Sequence, residues 1–437
     1  MREVLGNALQ QHGLKPSLFL KDGALPEDES ARDAALTRAA LRYADALSRG
    51  YADPKKVSET YTIVRPKADV AAGLAKALED GDVKAWFDSL APQTEEYRAL
   101  SQAHTRYVRL TANGGGAEIP AGKAIKPGQR DARLAQIAVA LRANEYLPDA
   151  NEAPPARHGG ALVEAVKRLQ ADNGMEPDGV IGKDTLAALN AGPAARARQL
   201  AIAMERLRWL EREPARTRID VNTAAAFLQY WRDGREVDRR NVVVGEPGWE
   251  TPQLGSPMVQ LVANPLWRVP DSILEDELSK KSGAYLAANG FEYRDGRLVQ
   301  GSGPKNALGL VKFDLENDES IYLHDTPAKA LFTESERHRS HGCIRVHNAL
   351  QFAGLIASHQ GVLDKFEEAM NSGDESYVKL GKPIPVRLLY HTAYWDGSRV
   401  QFRPDVYGWD DNVAAALGLI RGPARAAWKR RNGDVGP

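Results

Sequence analysis

The run Ser340-His341-Gly342-Cys343-Ile344-Arg345 holds the only cysteine among 437 residues, set beside a glycine, an imidazole and a guanidinium, with His324 nineteen positions earlier. A thiol attacks a carbonyl only as the thiolate, so it needs a group that takes its proton, and a lone cysteine with a distant histidine is the sequence form of that need. Cys343 is therefore the candidate nucleophile, and His324 the candidate general base and later the acid. Gly342 would let the backbone N–H groups of residues 342 and 343 approach a developing oxyanion without a side chain in the way. A cysteine of this kind can also be a buried apolar residue, but burial alone requires neither the glycine before it nor the His and Arg around it.

The neighbouring residue types suggest further roles, each with a bland alternative. His341 could polarise the thiol or support Ser340 by a hydrogen bond, and Ser340 could itself touch substrate. Arg345 suits a carboxylate of an acidic ligand, or else braces the cysteine loop. Tyr322 precedes His324 by two and so falls on the same face of a strand, where it could line a pocket or offer its hydroxyl. Asp325 falls on the opposite face, which makes its carboxylate a poor orienter of the imidazole. Trp267 is expected to wall the substrate groove, with simple core as the alternative. His338, His347 and His359 have no ligand spacing with a carboxylate base, so no metal is expected, and nothing calls for another cofactor.

The elements that must position these groups change character along the chain. Residues 30–150 read as helical: Leu36, Ala40, Tyr43 and Leu47 form one stripe ahead of Gly50, Val70, Leu74 and Leu78 another ahead of Gly81, and Val83, Phe87 and Leu90 a third ended by Pro92. The small residues Ala71, Ala72 and Ala75 suggest that these helices approach one another closely. Gly114-Gly115-Gly116 reads as a flexible connection, since no strand precedes it and no phosphate-loop lysine follows. Residues 151–195 form a smaller unit, with Leu162, Val166 and Leu169 on one helix, a glycine-bearing loop Asp178-Gly179-Val180-Ile181-Gly182, and Thr185, Leu186 and Leu189 on the next. From about residue 215 the period becomes alternating, through Ile219 and Val221, a hairpin signal at Asp233-Gly234, a buried run Val242-Val243-Val244, and later Val386, Leu388, Tyr390, Asp396-Gly397, Val400 and Phe402. Ile273, Leu274 and Leu278 suggest a helix inside an insertion over residues 272–300.

The pattern Tyr322-Leu323-His324-Asp325 followed by Ser340-His341-Gly342-Cys343-Ile344-Arg345 resembles the active-site signature of the L,D-transpeptidases of bacterial peptidoglycan. Asn264-Pro265-Leu266-Trp267-Arg268-Val269-Pro270-Asp271-Ser272-Ile273, Gly303-Pro304-Lys305-Asn306-Ala307-Leu308-Gly309 and His324-Asp325-Thr326-Pro327 are similar to the large multidomain branch of that family, so the likeness spans roughly residues 130–410. It implies a multidomain α+β fold: a helical scaffold at 1–150, a small three-helix peptidoglycan-binding-like module at 151–195, and a mostly β catalytic domain of the YkuD-like β-sandwich type at 196–437, whose helical insertion caps the donor site. The resemblance also implies that a backbone carbonyl completes a Cys343-His324 triad. The implied reaction is transfer of a stem-peptide acyl group from Cys343 to an amine, giving 3→3 cross-links, with 1→3 links, hydrolysis or lipoprotein anchoring as variants and a wall-binding scaffold as the non-enzymatic alternative. A carbapenem would then acylate Cys343.

Composition bounds the partners. A chain of 437 residues exceeds one core, so two or three domains are expected. Basic and acidic residues balance at 58 each, which gives nucleic-acid binding no electrostatic support. No stretch reads as a membrane span, and the start Met1-Arg2-Glu3-Val4-Leu5-Gly6-Asn7 lacks the apolar core of a signal peptide. The resemblance nonetheless implies stem peptides and glycan strands as partners, with other wall enzymes conceivable, and hence a periplasmic or envelope location with an export signal removed.

Overall fold

The computed structural model describes residues 9–20, 25–58, 60–112, 118–148 and 155–420; the Gly114-Gly115-Gly116 connection and the Met1–Asn7 start lie outside them. The described residues divide into two compact units, one within 9–57, 64–212 and 391–420, the other within 58–63 and 213–390. Among the described residues no helix is long and apolar enough to cross a membrane.

The strands in chain order are β1 Arg218–Asn222, β2 Phe227–Arg232, β3 Arg235–Gly245, β4 Gly255–Ala263, β5 Trp267–Arg268, β6 Phe291–Arg294, β7 Arg297–Gln300, β8 Val311–Leu315, β9 Leu323–His324, β10 His338–Ser340, β11 Ile344–Val346, β12 Ser376–Leu389, β13 Ala393–Trp395 and β14 Val400–Phe402. Nine of them form one sheet in the order β10-β3-β11-β9-β8-β4-β12-β1-β2, and β2 also pairs with β3, so the sheet curls until it closes on that long strand. The β2–β3 hairpin turns through Asp233 (φ 53°) and Gly234 (φ 82°), both left-handed, which matches the twist of the flanking strands. Leu228 and Tyr230 point into the core and Phe227 and Gln229 do not, as the alternation requires. Val242, Val244, Phe313, Leu323 and Ile344 share that core with Phe352 and Ile356 of the helix Ala349–His359.

The insertion runs from Trp267 to Gln300 and is not helix alone: the helices Asp271–Asp276 and Gly283–Ala288 are joined by a three-stranded sheet ordered β5-β7-β6. Its own core is Trp267, Val269, Ile273, Leu278, Leu298 and Leu308. Ile273 and Leu278 do turn inward together, although strand residues on either side of them carry as much of the cluster as the helix does.

In the helical unit, Ala40, Tyr43 and Leu47 are buried on Glu29–Arg49, which Asp28 caps by accepting from the Ala31 amide at 2.7 Å. Leu78, expected on the buried stripe of Val70–Glu79, is 55% exposed, and Ala77 is inward instead. Ala71, Ala72 and Ala75 are also exposed, so they do not bring helices together. The close approach falls at Gly73, where an added Cβ would stand 2.7 Å from the indole Nε1 of Trp86.

The long helical segment Lys183–Arg208 breaks at Gly192 (φ 67°) ahead of Pro193. Its first half packs Leu186 and Leu189 against Leu162, Val166 and Leu169, as the module's periodicity predicts, but Ile119, Ile125, Leu134, Ile137 and Leu141 share the same core. The module therefore begins well before residue 151, and its third helix is Leu134–Ala143. The β13–β14 hairpin, read from sequence as part of the β domain, groups with the helices. Gln199 donates to the carbonyls of Thr392 (2.9 Å) and Arg403 (2.8 Å), and Arg196 lies 4.5 Å over the Phe402 ring.

The second half of the same segment carries a fully buried ion pair. Glu205 accepts from Arg208 at 2.6 Å, from the Ala52 amide at 2.6 Å and from the Trp209 indole at 3.1 Å, while Arg208 also donates to Tyr97 at 2.8 Å. Glu205→Ala would strand the Arg208 charge away from water, and we expect it to lower unfolding stability by ~3–5 kcal/mol. Urea denaturation with tertiary fluorescence checks this; a loss under ~1 kcal/mol would mean that water replaces the carboxylate.

Candidate active site

β11 pairs with β9 in parallel, Ile344 opposite Leu323 and Arg345 opposite His324, and the Ile344 amide donates to the Tyr322 carbonyl at 3.1 Å. This register sets Arg345 beside His324 on neighbouring strands, with Cys343 directly before β11 and Tyr322 directly before β9; Ile344 and Leu323 lie in the sheet core, which Cys343 joins. Cys343 and His324, nineteen residues apart in sequence, thus stand just before β11 and at the end of its neighbour β9, and both are fully buried.

The imidazole is held in one orientation. His324 Nδ1 bonds the backbone carbonyl of Asp325 at 2.5 Å, so Nδ1 carries the hydrogen and Nε2 is left as the lone-pair nitrogen. Nε2 is buried without a hydrogen-bond partner. Burial, and after it the positive charge of Arg345, pushes the His324 pKa down to about 3, against the opposing pull of the Asp325 carbonyl. The ring is accordingly neutral and able to accept a proton at ordinary pH. The Asp325 carboxylate points elsewhere, as its place in the strand predicts: it accepts from the Leu310 amide at 3.1 Å and pairs with Lys329.

The cysteine loop is tied from within. Gly342 has φ 108°, a left-handed conformation that a side chain would strain. Ser340 is fully buried, donates to the Cys343 carbonyl at 2.6 Å and accepts from the Gly342 amide at 3.2 Å. Ser340 thus clasps the loop, and the Gly342 N–H is engaged by its hydroxyl, which leaves that N–H poorly placed to be an oxyanion donor. Thr251, which nothing in the sequence singles out, donates to the Gly342 carbonyl at 2.8 Å and accepts from the Gly245 amide at 2.9 Å. Gly245 must be glycine, because a Cβ there would lie 1.9 Å from the Trp249 carbonyl.

His341 reaches the insertion. Its Nε2 lies 2.8 Å from the Glu277 carboxylate of the insertion, and its ring meets Trp249 edge-on at 5.1 Å. Trp267 is 6% exposed inside the core of the insertion, against Phe291 at 5.9 Å, which favours its core reading over a groove wall. Tyr322 is partly exposed, stands edge-on to His324 at 5.7 Å and carries the Lys312 ammonium 4.4 Å over its ring. Arg345 is mostly buried with an unpartnered Nε. Burial pulls its pKa down, against the opposing influence of Cys343, Glu246 and Glu277. A guanidinium so placed beside the sulfur can favour the thiolate and receive a carboxylate. Among the described residues no group of three His, Cys, Asp or Glu side chains could hold a metal ion.

Residues 216–386 match the family model described as the L,D-transpeptidase catalytic domain, residues 1–103 a scaffold domain, and residues 130–189 a domain described as "Putative peptidoglycan binding domain". A curated relative from Haemophilus influenzae named "Putative L,D-transpeptidase" is 29% identical over 223 residues, a stretch that covers 45% of each chain. The match therefore spans less than half the length of that relative. Among solved structures, an L,D-transpeptidase from Stackebrandtia nassauensis aligns with 61% of this chain and 97% of its own at 13% identity and TM-score 0.24, and one from Mycobacterium smegmatis with 39% and 58% at 16% identity and TM-score 0.23. Likenesses that weak add nothing to the argument from the site.

Proposed function

We propose that this chain, which carries an L,D-transpeptidase catalytic domain over residues 216–386, is a peptidoglycan L,D-transpeptidase with Cys343 as its nucleophile. The observation that carries this reading is the His324 ring, locked by the Asp325 carbonyl so that a buried Nε2 is left unpartnered on β9, the strand that pairs with β11 directly after Cys343. His324 Nε2 takes the thiol proton, and the sulfur attacks the carbonyl of an L-centre in a stem peptide. The protonated imidazole then gives its proton to the departing amine of the following D-residue, leaving a thioester on Cys343. An acceptor amine, losing its proton to His324, attacks the thioester, and the product in this reading is a 3→3 cross-link. Substrate chemistry places the reaction outside the cytoplasm, in the periplasm or envelope, and the module around residues 130–189 is suited to hold glycan strands nearby.

The test is incubation of the protein with purified disaccharide tetrapeptide, followed by mass and fragmentation analysis of the products. A dimer linked through the third residues supports the reading. Release of the terminal residue with no dimer would make water the acceptor, and absence of any change would overturn the activity.

Arg345 is assigned to a substrate carboxylate. Arg345→Lys keeps the charge but loses the planar fork, so peptide affinity is expected to drop by ~1–3 kcal/mol with little change in melting temperature. A drop in melting temperature together with altered iodoacetamide reactivity of Cys343 would instead make Arg345 a brace for the loop.

A further inference from the structure

The turn between β8 and β9 brings an unexpected group to the nucleophile. Ser320 adopts a left-handed backbone (φ 51°) that non-glycine residues seldom take, and its carbonyl accepts from the Cys343 thiol at 3.8 Å. One side chain holds that turn. Asn317 Oδ1 accepts from the amides of Glu319 (3.0 Å) and Ile321 (3.1 Å), and its Nδ2 donates to the Ile321 carbonyl at 2.8 Å. Ile321, 1% exposed, anchors the end of the turn in the sheet core, and the next residue supplies the carbonyl that receives the Ile344 amide beside Cys343. The turn and the cysteine loop are thereby fixed to each other through consecutive backbone groups.

We propose that Asn317 is a positioning residue for the nucleophile: by holding the Ser320 carbonyl against Cys343 Sγ, it aims the sulfur and keeps it protonated until an acyl donor is bound. A carbonyl oxygen directed at sulfur favours S–H and repels S⁻. It acts there against Arg345 on β11, whose positive charge favours the thiolate, and alongside the carboxylates Glu246 and Glu277 that face Arg345, while Lys312 on β8 and Lys329 beside Asp325 face His324. His324 on β9 stays neutral. When the acyl donor enters, the S–H bond breaks, its proton passes to His324 Nε2, and the electron pair left on sulfur forms the new S–C bond. Between turnovers the carbonyl shields the thiol from adventitious electrophiles. This inference rests on Cys343 being the reactive residue, as proposed above.

The test compares the parent with Asn317→Ala and Asn317→Ser, reading the rate of Cys343 alkylation by iodoacetamide against pH from intact-protein mass, with melting temperature and peptide turnover alongside. Releasing the turn in Asn317→Ala should move the alkylation midpoint down by roughly one pH unit and lower kcat. Asn317→Ser keeps a neutral hydroxyl acceptor for the turn amides and loses the Nδ2 donor without adding charge, so its midpoint should lie between the two; it also stands as the informative variant if the alanine protein does not fold. A midpoint unchanged or raised in the folded variants overturns the inference, whatever the melting temperature does, since a merely structural turn would alter stability alone. Alkylation reads the sulfur directly, so the two readings fail separately. A parent that alkylates normally but never transfers an acyl group refutes the function and not the turn, whereas a parent that transfers, with unmoved variants, refutes only the turn.

Discussion

Cys343→Ala is expected to abolish both transfer and hydrolysis, by about 10⁴-fold or more, while the protein keeps its fold, because the change removes the only sulfur that can form the thioester and little volume besides. The same variant should take up no carbapenem. The parent should gain one adduct per chain by intact mass, since the strained lactam carbonyl presents the sulfur with an acyl group whose leaving amine stays tethered. An adduct that persists in Cys343→Ala, or peptide turnover within a few-fold of the parent, would remove Cys343 from the mechanism.

His324→Ala is expected to cost about 10²- to 10⁴-fold near neutral pH, the usual contribution of a positioned proton acceptor. The deficit should shrink as pH rises, because the thiolate then forms without help. The parent carries a matching signature at low pH. An imidazole whose pKa is lowered by burial binds its proton only at more acidic pH, so His324, at about 3, stays a competent base well below the 6.5 of an ordinary histidine. The acidic limb of kcat/KM should accordingly lie below the usual imidazole range. A limb at the ordinary value would mean that the ring is solvated in the working enzyme, and a deficit independent of pH in His324→Ala would mean that the ring does more than move a proton.

Much of the site was legible along the chain because the chemistry depends on residue type. A thiolate requires a base, so the lone Cys343 pointed to His324, and two-residue periodicity put Tyr322 beside that histidine while turning the Asp325 carboxylate away. Asp233-Gly234 announced its hairpin for a similarly local reason, since only residues tolerant of positive φ close a two-residue turn. Tertiary structure decided what depends on which strands become neighbours. The parallel pairing of β9 with β11, which lays the chain directly after Cys343 alongside His324, spans two strands far too short to show a register in sequence. Ser340, His341 and Trp267 carry polar or aromatic groups that could equally serve substrate or scaffold, and only the fold shows what they meet, which is the Cys343 carbonyl, Glu277 and the insertion core. Thr251 and Asn317 gave no signal at all, because a side chain that holds a backbone carbonyl is recognisable only when that carbonyl is in place. Leu78 and the β13–β14 hairpin fall on the same side of the divide. Their periodicity told which residues share a face, and only the packing of the whole chain could tell what that face meets.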